Sequence, residues 1–586
     1  EPLVVRVGGA AADAEGAAAP DRLPPLAAPP DEPTWPRPSG LPPLVSAEAP
    51  QLRQLRDMRD EEFRALPRKT WPHPNYNRKQ HPVMAAKDVP GKFFGLVFPY
   101  SLEKLREAGA AWLTTAFHTA GTLPRENAVA SVDVVPLSVD PMEGEAIGGS
   151  SVKGLLHVEY ATNSPGLHRT LFVKLPLVPT PESERVYNGK NWWLDEPEVL
   201  FNLIGQTCPF RVPKCYFSDF SPESTNFIHI WEGLDFEKEY VPSRPWVLAK
   251  PGLKNRDYEL PNDGLERYLA FMRRLGHFSG ATQTGKLGEL GRLRELFEFA
   301  DLLPWPTNAA ERKERAAWMK MPENQQGVLA RAQPAVGMAQ MNCHTASQLI
   351  LYVAPQLFPA KFRDAAVLKK LCTEVVHVQQ YAEDISFYSS GMPELMSLSH
   401  QNTQLDNAVF FHTDEACTQW DCCILDWAAV RGGPPHPAIG ANLIGGAEPR
   451  MLEGGGVEKC AAAWTQGYHE AGGSEKVTLD RVLSIIKLGM ATGASGLMGF
   501  LRTIQNNVPF TDPRWKTFKD RWDPEINDNY VRRAAVAQMN HVLETWASPK
   551  VDLYGHFKRW LADNKDIIFE RPAVDVEMPR KAPGSK

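Results

Sequence analysis

Asp426 ends the apolar run CCIL and precedes Trp427, a place where a carboxylate loses hydration and needs a partner. A magnesium ion is one such partner, since it binds through one or two carboxylates, and a structural salt bridge is the other. Lys174 stands in LFVKLP among apolar residues of strand character. Glu198, in EPEVLF, opens the next helical stretch, where it can pair with that lysine. A cation for phosphates, an acid that fixes the cation and a carboxylate for a metal are parts that phosphoryl transfer requires. Two further parts have candidates. Gly148, Gly149 and Gly154, in EAIGGSSVKGLLHVEY, fall between two predicted strands, where missing side chains let backbone N–H groups approach phosphate. An ordinary hairpin turn explains the same glycines. IHIWEGL, with Trp231, Glu232 and Leu234, ends a strand just ahead of a helical half and either offers backbone groups to adenine or is a plain strand end.

These residues need a scaffold, and the chain has the length and composition for one. With 586 residues, 43% hydrophobic and 23% charged, it is composed like an ordinary globular protein large enough for two lobes and extensions. AVASVDVVPLSV, KGLLHVEYA and RTLFVKLPLV read as strands of an antiparallel sheet, and VPKCYFSDF and NFIHIWEGLDF return to that character after the Glu198 stretch. From about residue 260 helical periodicity dominates, interrupted by one short β pair, AVFF and CCIL. The expected fold class is therefore α+β: a small antiparallel lobe over about 91–235, a large helical lobe over 236–545, and a cleft between them. Ahead of these lies a Pro- and Ala-rich extended arm over 1–90. Within it Leu52, Leu55, Met58 or Arg59, Phe63 and Leu66 fall near helical spacing and predict a short docked helix. Residues 546–586 read as a helix and an extended tail.

Several function classes drop out. A net charge of −6 gives no electrostatic footprint for nucleic acid. Eight scattered cysteines without a C-x-x-C or a histidine partner pattern read as reduced thiols of an intracellular compartment. VLSIIKLGMATGASGLMGFL has the length of a membrane span, but Lys487 inside it favours a buried helix of the large lobe, so no spanning segment is expected. The chain opens at Glu1 rather than Met, which a removed chloroplast or mitochondrial targeting peptide and a shortened chain both explain. An ordered Pro-rich arm lies either on its own globular body or on a partner, so the arm and the tail ERPAVDVEMPRKAPGSK are the expected contacts to a larger protein assembly.

The stretch LSHQNTQLDNAVFF nearly spells the catalytic loop H-R-D-L-x-x-x-N of protein kinases, with His400, Gln401, Asn402 and Asn407 in frame and Asn402 where the Asp would be. An intact H-x-D at His412, Thr413 and Asp414 lacks the following Asn and leaves no room for a hairpin before Asp426, so 412–420 reads as the turn between AVFF and CCIL. In order along the chain, AAWLTTAFHTAGTLPRENAVASVDVVPL, RTLFVKLP, EPEVLFNLIGQTCPFRVPKCYFSDF, FIHIWEGL, RRLGHFSGA, LSHQNTQLDNAVFF and CCILDWAAVRGGPPHPAIGANLIGG resemble the aminoglycoside phosphotransferase and choline kinase-like (CHK-like) small-molecule kinases over about 95–510. That resemblance implies a two-lobed protein kinase-like fold, ATP and Mg2+ as cofactors, Lys174 and Glu198 serving the phosphates, Asn407 and Asp426 the metal, His400 shaping the loop, and Asn402 at the general-base position. An amide cannot take up a proton near neutral pH. General-base help contributes about 10² to 10⁴ in rate, roughly 3 to 5 kcal/mol of barrier. Two expectations follow: a pseudokinase that binds or scaffolds, or a kinase of a choline-like, sugar or aminoglycoside-like hydroxyl that dispenses with this base.

Overall fold

A computed structural model describes residues 54–68, 81–138, 151–177, 195–234, 236–237, 248–249, 260, 264–413, 418–501 and 508–580. The arm before residue 54, with Leu52, and the glycines at 148 and 149 lie outside the described residues. Strands β1 (Val129–Ser138), β2 (Ser151–Tyr160), β3 (Thr170–Pro176), β4 (Cys215–Phe220) and β5 (Phe227–Glu232) form one antiparallel sheet in the order β1-β2-β3-β5-β4. Pro136 interrupts β1 at the sheet's edge, where its missing N–H costs no ladder bond.

Alternation along the strands gives this sheet two different faces. Leu171, Val173 and Leu175 of β3, with Leu156, Ile228 and Ile230, pack against Leu105, Leu113 and Phe117 of helix α1 (Leu102–Ala120). Lys174 and Phe172 point the other way. Gly154 sits inside β2 rather than in a turn: a Cβ there would lie 3.0 Å from both Leu102 Cδ2 and the Val135 carbonyl, so its lack of a side chain lets the sheet approach α1. Helix α2 (Glu196–Phe201) follows β3.

The large lobe is built from α3 (Gly264–Gln283), α4 (Pro322–Gln348), α5 (Ala365–Gln380), α6 (His436–Gly446), α7 (Gly456–Glu470), α8 (Leu479–Gly499), α9 (Tyr530–Ala547) and α10 (Leu553–Asp563). Two short β pairs sit among them: β6 (Ser397–Ser399) with β9 (Arg431–Gly433), and β7 (Ala408–His412) with β8 (Trp420–Ile424). Helices α3 and α7 touch backbone to backbone. A Cβ at Gly276 would lie 1.9 Å from the Trp464 carbonyl, and one at Gly467 would lie 1.9 Å from the Arg273 carbonyl. The two-lobed α+β architecture expected from the sequence is the one observed.

The apolar segment around Lys487 forms α8, which is long and apolar enough to cross a membrane by length and composition. Here it is a core helix. Lys487 is buried, and its Nζ lies 2.7 Å from Glu458 Oε1 of α7. The docked helix expected around residue 60 is a 3₁₀ turn (Leu55–Asp57) followed by an α-turn (Asp60–Ala65), and Leu55 and Phe63 are buried in the large-lobe core. The Leu55 N–H donates to the Leu203 carbonyl at 2.8 Å, fixing this segment beside α2.

Candidate nucleotide cleft

Lys174 is the centre of the site because the alternation of β3 turns it away from α1 and toward the large lobe. Its Nζ lies 2.7 Å from Glu198 Oε2 and 2.7 Å from Asp426 Oδ1, which joins small sheet, α2 and the end of β8 in one ion cluster. Side-chain exposure is 8% for Lys174, 2% for Glu198 and 40% for Asp426, so the carboxylate open to solvent is Asp426. Burial alone would depress the lysine, but Asp426 and Glu198 outweigh it and raise it above the usual lysine range. Burial pushes Glu198 up to about 7 against the pull of Lys174. For Asp426 lost hydration works upward, and the ammonium of Lys174 overrides it, holding the carboxyl far below the usual range. Asp426 thus carries the firm negative charge.

The backbone at Asp426 is left-handed, with φ of +54°, and Ala429 follows at +61°. Positive φ at a non-glycine residue is strained by about 1–2 kcal/mol, and the neighbours that hold it are visible. The Leu425 N–H donates to the Asn407 carbonyl at 2.8 Å, and His400 Nε2 donates to the Leu425 carbonyl at 2.9 Å. Trp427 stacks on Phe201 of α2 at 3.9 Å and 8° and meets the His400 ring at 4.9 Å. One indole therefore clamps the Glu198 helix, the loop and the turn that aims Asp426.

The loop 400–407 is closed by its own polar groups. His400 Nδ1 accepts the Asn402 N–H at 3.1 Å, and Asn407 Nδ2 donates to the Asn402 carbonyl at 2.9 Å. The Nδ1 bond to Asn402 and the Nε2 bond to Leu425 together use both nitrogens of His400 in the neutral form, in keeping with burial driving its pKa down. His400 thus ties the start of the loop to Leu425 and Asn402. With its NH2 turned to Asn402, Asn407 has its Oδ1 as the atom suited to a cation.

No group of three His, Cys, Asp or Glu suited to a metal occurs among the described residues. Asn407 and Asp426 nevertheless fit magnesium, which commonly takes one or two protein oxygens and completes its shell with phosphate and water. Such an ion would supply charge neutralisation at phosphate oxygens.

Further residues complete the cleft face, and the sequence reading passed over them. His229 lies directly opposite Lys174 on β5, and Ser218 opposite His229 on β4. His229 Nδ1 pairs with Ser218 Oγ at 2.7 Å, and its Nε2 lies 3.5 Å from Glu198 Oε2. Burial, reinforced by Lys174, keeps this imidazole neutral. One register step along, Leu155, Phe172 and Trp231 face one another across β2, β3 and β5. Phe172 and Trp231 stack at 6.3 Å and 26°. An apolar, aromatic row thus runs beside a polar one.

At the expected adenine linker two backbone donors are already taken. Glu232 N–H donates to the Lys214 carbonyl and Gly233 N–H to the Thr170 carbonyl, at 2.8 and 2.9 Å, so both donors are spent inside the sheet. The Glu232 side chain is buried with His168 at 2.9 Å and Arg211 at 3.6 Å, which makes it structural. Leu234 packs against Val409, Phe411 and Cys423 of β7 and β8. Trp231 alone of the three presents a half-buried ring to the cleft face, where its Nε1 also donates to Asn202.

No family model matches this chain, and no curated protein does. Among solved structures, the GDP complex of aminoglycoside 2'-phosphotransferase-IIIa is similar at 12% identity and a TM-score of 0.29, over 66% of this chain and 89% of that one. Spectinomycin phosphotransferase in complex with ADP and spectinomycin is similar at 11% identity and a TM-score of 0.29, over 70% of this chain and 94% of that one. The chemistry of the cleft is accordingly read from its own geometry.

Proposed function

We propose that this chain is a nucleotide-binding pseudokinase of CHK-like and aminoglycoside phosphotransferase-like type, which holds Mg-ATP between its lobes and acts as a binding or structural subunit. The carrying observation is the two-row floor of the cleft: Lys174 gripped by Glu198 and Asp426 in a polar row, beside the aromatic row of Phe172 and Trp231. A ligand that suits both rows is a flat ring bearing phosphates. Asn407 and Asp426 are the residues that would hold its magnesium. Asn402 supplies the loop with hydrogen bonds but no proton acceptor, which supports binding over transfer. The arm before residue 54 is the proposed contact to a larger assembly. The intact Lys174–Glu198–Asp426 cluster favours one alternative, a kinase of a small hydroxylated metabolite, because much of phosphoryl transfer is positioning and charge stabilisation.

Mg-ATP is expected to raise the thermal midpoint of the native chain, since a ligand of the folded state stabilises by mass action. Turnover across choline-like, sugar and aminoglycoside acceptors is expected only for Asn402→Asp. Robust turnover by the unaltered chain would overturn the pseudokinase and leave the alternative standing. No thermal shift with any nucleotide would overturn both.

A further inference from the structure

Away from the cleft, the helical lobe brings two cysteine side chains together. Cys343 of α4 and Cys372 of α5 are both fully enclosed in the large-lobe core. Their thiols are in hydrogen-bonding contact, and Cys343 Sγ also lies 3.9 Å from the Cys372 carbonyl oxygen. One turn along α4, Ser347 Oγ lies 3.7 Å from Cys372 Sγ, so Cys372 is held between two polar side chains of the facing helix. A free cysteine commonly packs in a core as a small hydrophobe. That role does not require a second thiol beside it. Of the seven described cysteines these are the only two whose thiols meet: Cys208, Cys215 and Cys460 show no contact with another described thiol, and Cys422 and Cys423 are successive residues of β8 that point to opposite faces. The contact also divides the pair chemically. The hydrogen bond from Cys343, with help from Ser347, outweighs burial and lowers the Cys372 thiol below its ordinary range, whereas the same bond and burial raise Cys343. The thiolate is the nucleophile of disulfide chemistry, which makes Cys372 the attacking sulfur.

The chain's own end lies over this pair. Ser347 Oγ also reaches Met578 Sδ at 3.8 Å, so one hydroxyl touches both Cys372 and Met578. Met578 is half-buried against the core, in a segment fastened by Lys369 to Asp575 at 2.8 Å and by Tyr352 to the Pro579 carbonyl at 3.0 Å. Residues 571–580 contain no helix or strand, and such a segment opens at a lower free energy than a core helix does.

We propose that Cys343 and Cys372 are a reversible redox site, oxidised to a disulfide by a small disulfide compound such as oxidised glutathione, with Met578 as the cover that controls access. The Cys372 thiolate attacks one sulfur of the oxidant, which forms a mixed disulfide and releases one thiolate. Cys343 then loses its proton and attacks Cys372 Sγ, releasing the second. Two protein thiols are oxidised, one small disulfide is reduced, and the two protons of the pair end on the two released thiols. The new bond ties α4 to α5 around the π-turn (Leu349–Val353) and the 3₁₀ turns that join them. A tie of this kind stabilises mainly by constraining the unfolded chain.

The full chain, purified in dithiothreitol and then exposed to oxidised glutathione, tests this by mass spectrometry of non-reduced peptides. A Cys343–Cys372 link is expected, together with a raised urea midpoint, and dithiothreitol should reverse both. Met578→Ala is expected to form the link about fivefold faster or more, because reaction at a covered site follows the population of the open form. Cys460, buried elsewhere in the same lobe, is the internal control. Thiols that stay free, glutathione that stops on one cysteine, or a link between another pair would overturn the redox site. So would a link that leaves the urea midpoint unchanged or lowers it, since the bond would then not fit the folded state. A rate unchanged in Met578→Ala would overturn the cover. Modification of Cys460 in step with the pair would overturn it too, by showing that access comes through global unfolding.

Discussion

At the scale of single residues, Lys174 does two jobs, and a substitution separates them. It neutralises a fully buried carboxylate, Glu198, and it pins an exposed one, Asp426, across the cleft. Removing one member of a buried ion pair strands the other, at a cost of about 3 to 5 kcal/mol. Lys174→Met is therefore expected to destabilise the chain by about 3 kcal/mol in urea unfolding, with much of that restored in the double variant Lys174→Met, Glu198→Gln, which no longer buries a lone charge. A single-variant loss below about 0.5 kcal/mol would show that the cluster contributes nothing to the fold. Lys174, Glu198 and Asp426 were legible from sequence because each is announced by its immediate neighbours, a strand, a helix start and a strand end. His229 and Ser218 were not, because their neighbours lie across strands and only the register brings them together. A one-residue slip would have turned each to the other face.

At the scale of elements, close approach and buried charge decide what holds the large lobe. Gly276 on α3 and Gly467 on α7 meet the other helix's carbonyl groups, and backbone cannot move aside as a side chain can. Gly276→Ala is expected to cost about 3 kcal/mol in stability or to abolish soluble expression, whereas Gly337→Ala on α4, with open space around its Cα, is expected to be neutral or slightly stabilising by helix propensity. A histidine packed against helix α8 contributes to the acid side of the stability curve. His556 of α10 pairs with Ser484 Oγ of α8 at 3.2 Å. Burial, with help from Lys487, lowers its pKa from 6.5 to about 4. Between those values the unfolded chain binds the proton more readily than the folded one. The stabilising share of this group is thus complete above about 6.5 and lost as pH falls through about 4. His556→Gln should flatten unfolding free energy against pH over that window by about 1–2 kcal/mol, allowing for its partial exposure. An unchanged slope would mean that the ring gives up its buried position before it titrates. The sequence had already marked Lys487 as the reason to read α8 as a core helix, but it could not name Glu458 and His556 as the groups around it, since both arrive from other helices.

At the scale of the whole molecule, the chain fastens its own end. Beyond α10, residues 569–580 run as an extended strap over the large lobe and hold to it by polar and apolar contacts. Arg571, fully enclosed, pairs with Asp384, covers the Tyr381 ring at 4.3 Å, and donates its backbone N–H to the Tyr381 hydroxyl at 2.9 Å. Gln380 Nε2 donates to the Pro572 carbonyl at 2.8 Å, and Tyr352 donates to the Pro579 carbonyl at 3.0 Å. Val576 is buried between these fastenings. The tail was expected as a contact to a larger assembly, and residues 569–580 of it lie on the chain's own large lobe. Most of the large-lobe core comes from residues ahead of the strap, so removing the strap is expected to lower the stability of the fold rather than abolish it. Removing it strands Asp384, whose carboxyl burial already pushes above its ordinary range despite Arg571. Truncation after residue 568 is thus expected to lower the urea unfolding free energy by about 3 kcal/mol or more, with Asp384→Asn recovering part of the loss in the truncated chain. The far-ultraviolet dichroism should stay close to that of the full chain. A truncated chain that loses its helical signal altogether would show the strap to be part of the folding core. One that loses nothing would show these contacts to be surface ornament, and would return the tail to the role of an arm for a partner.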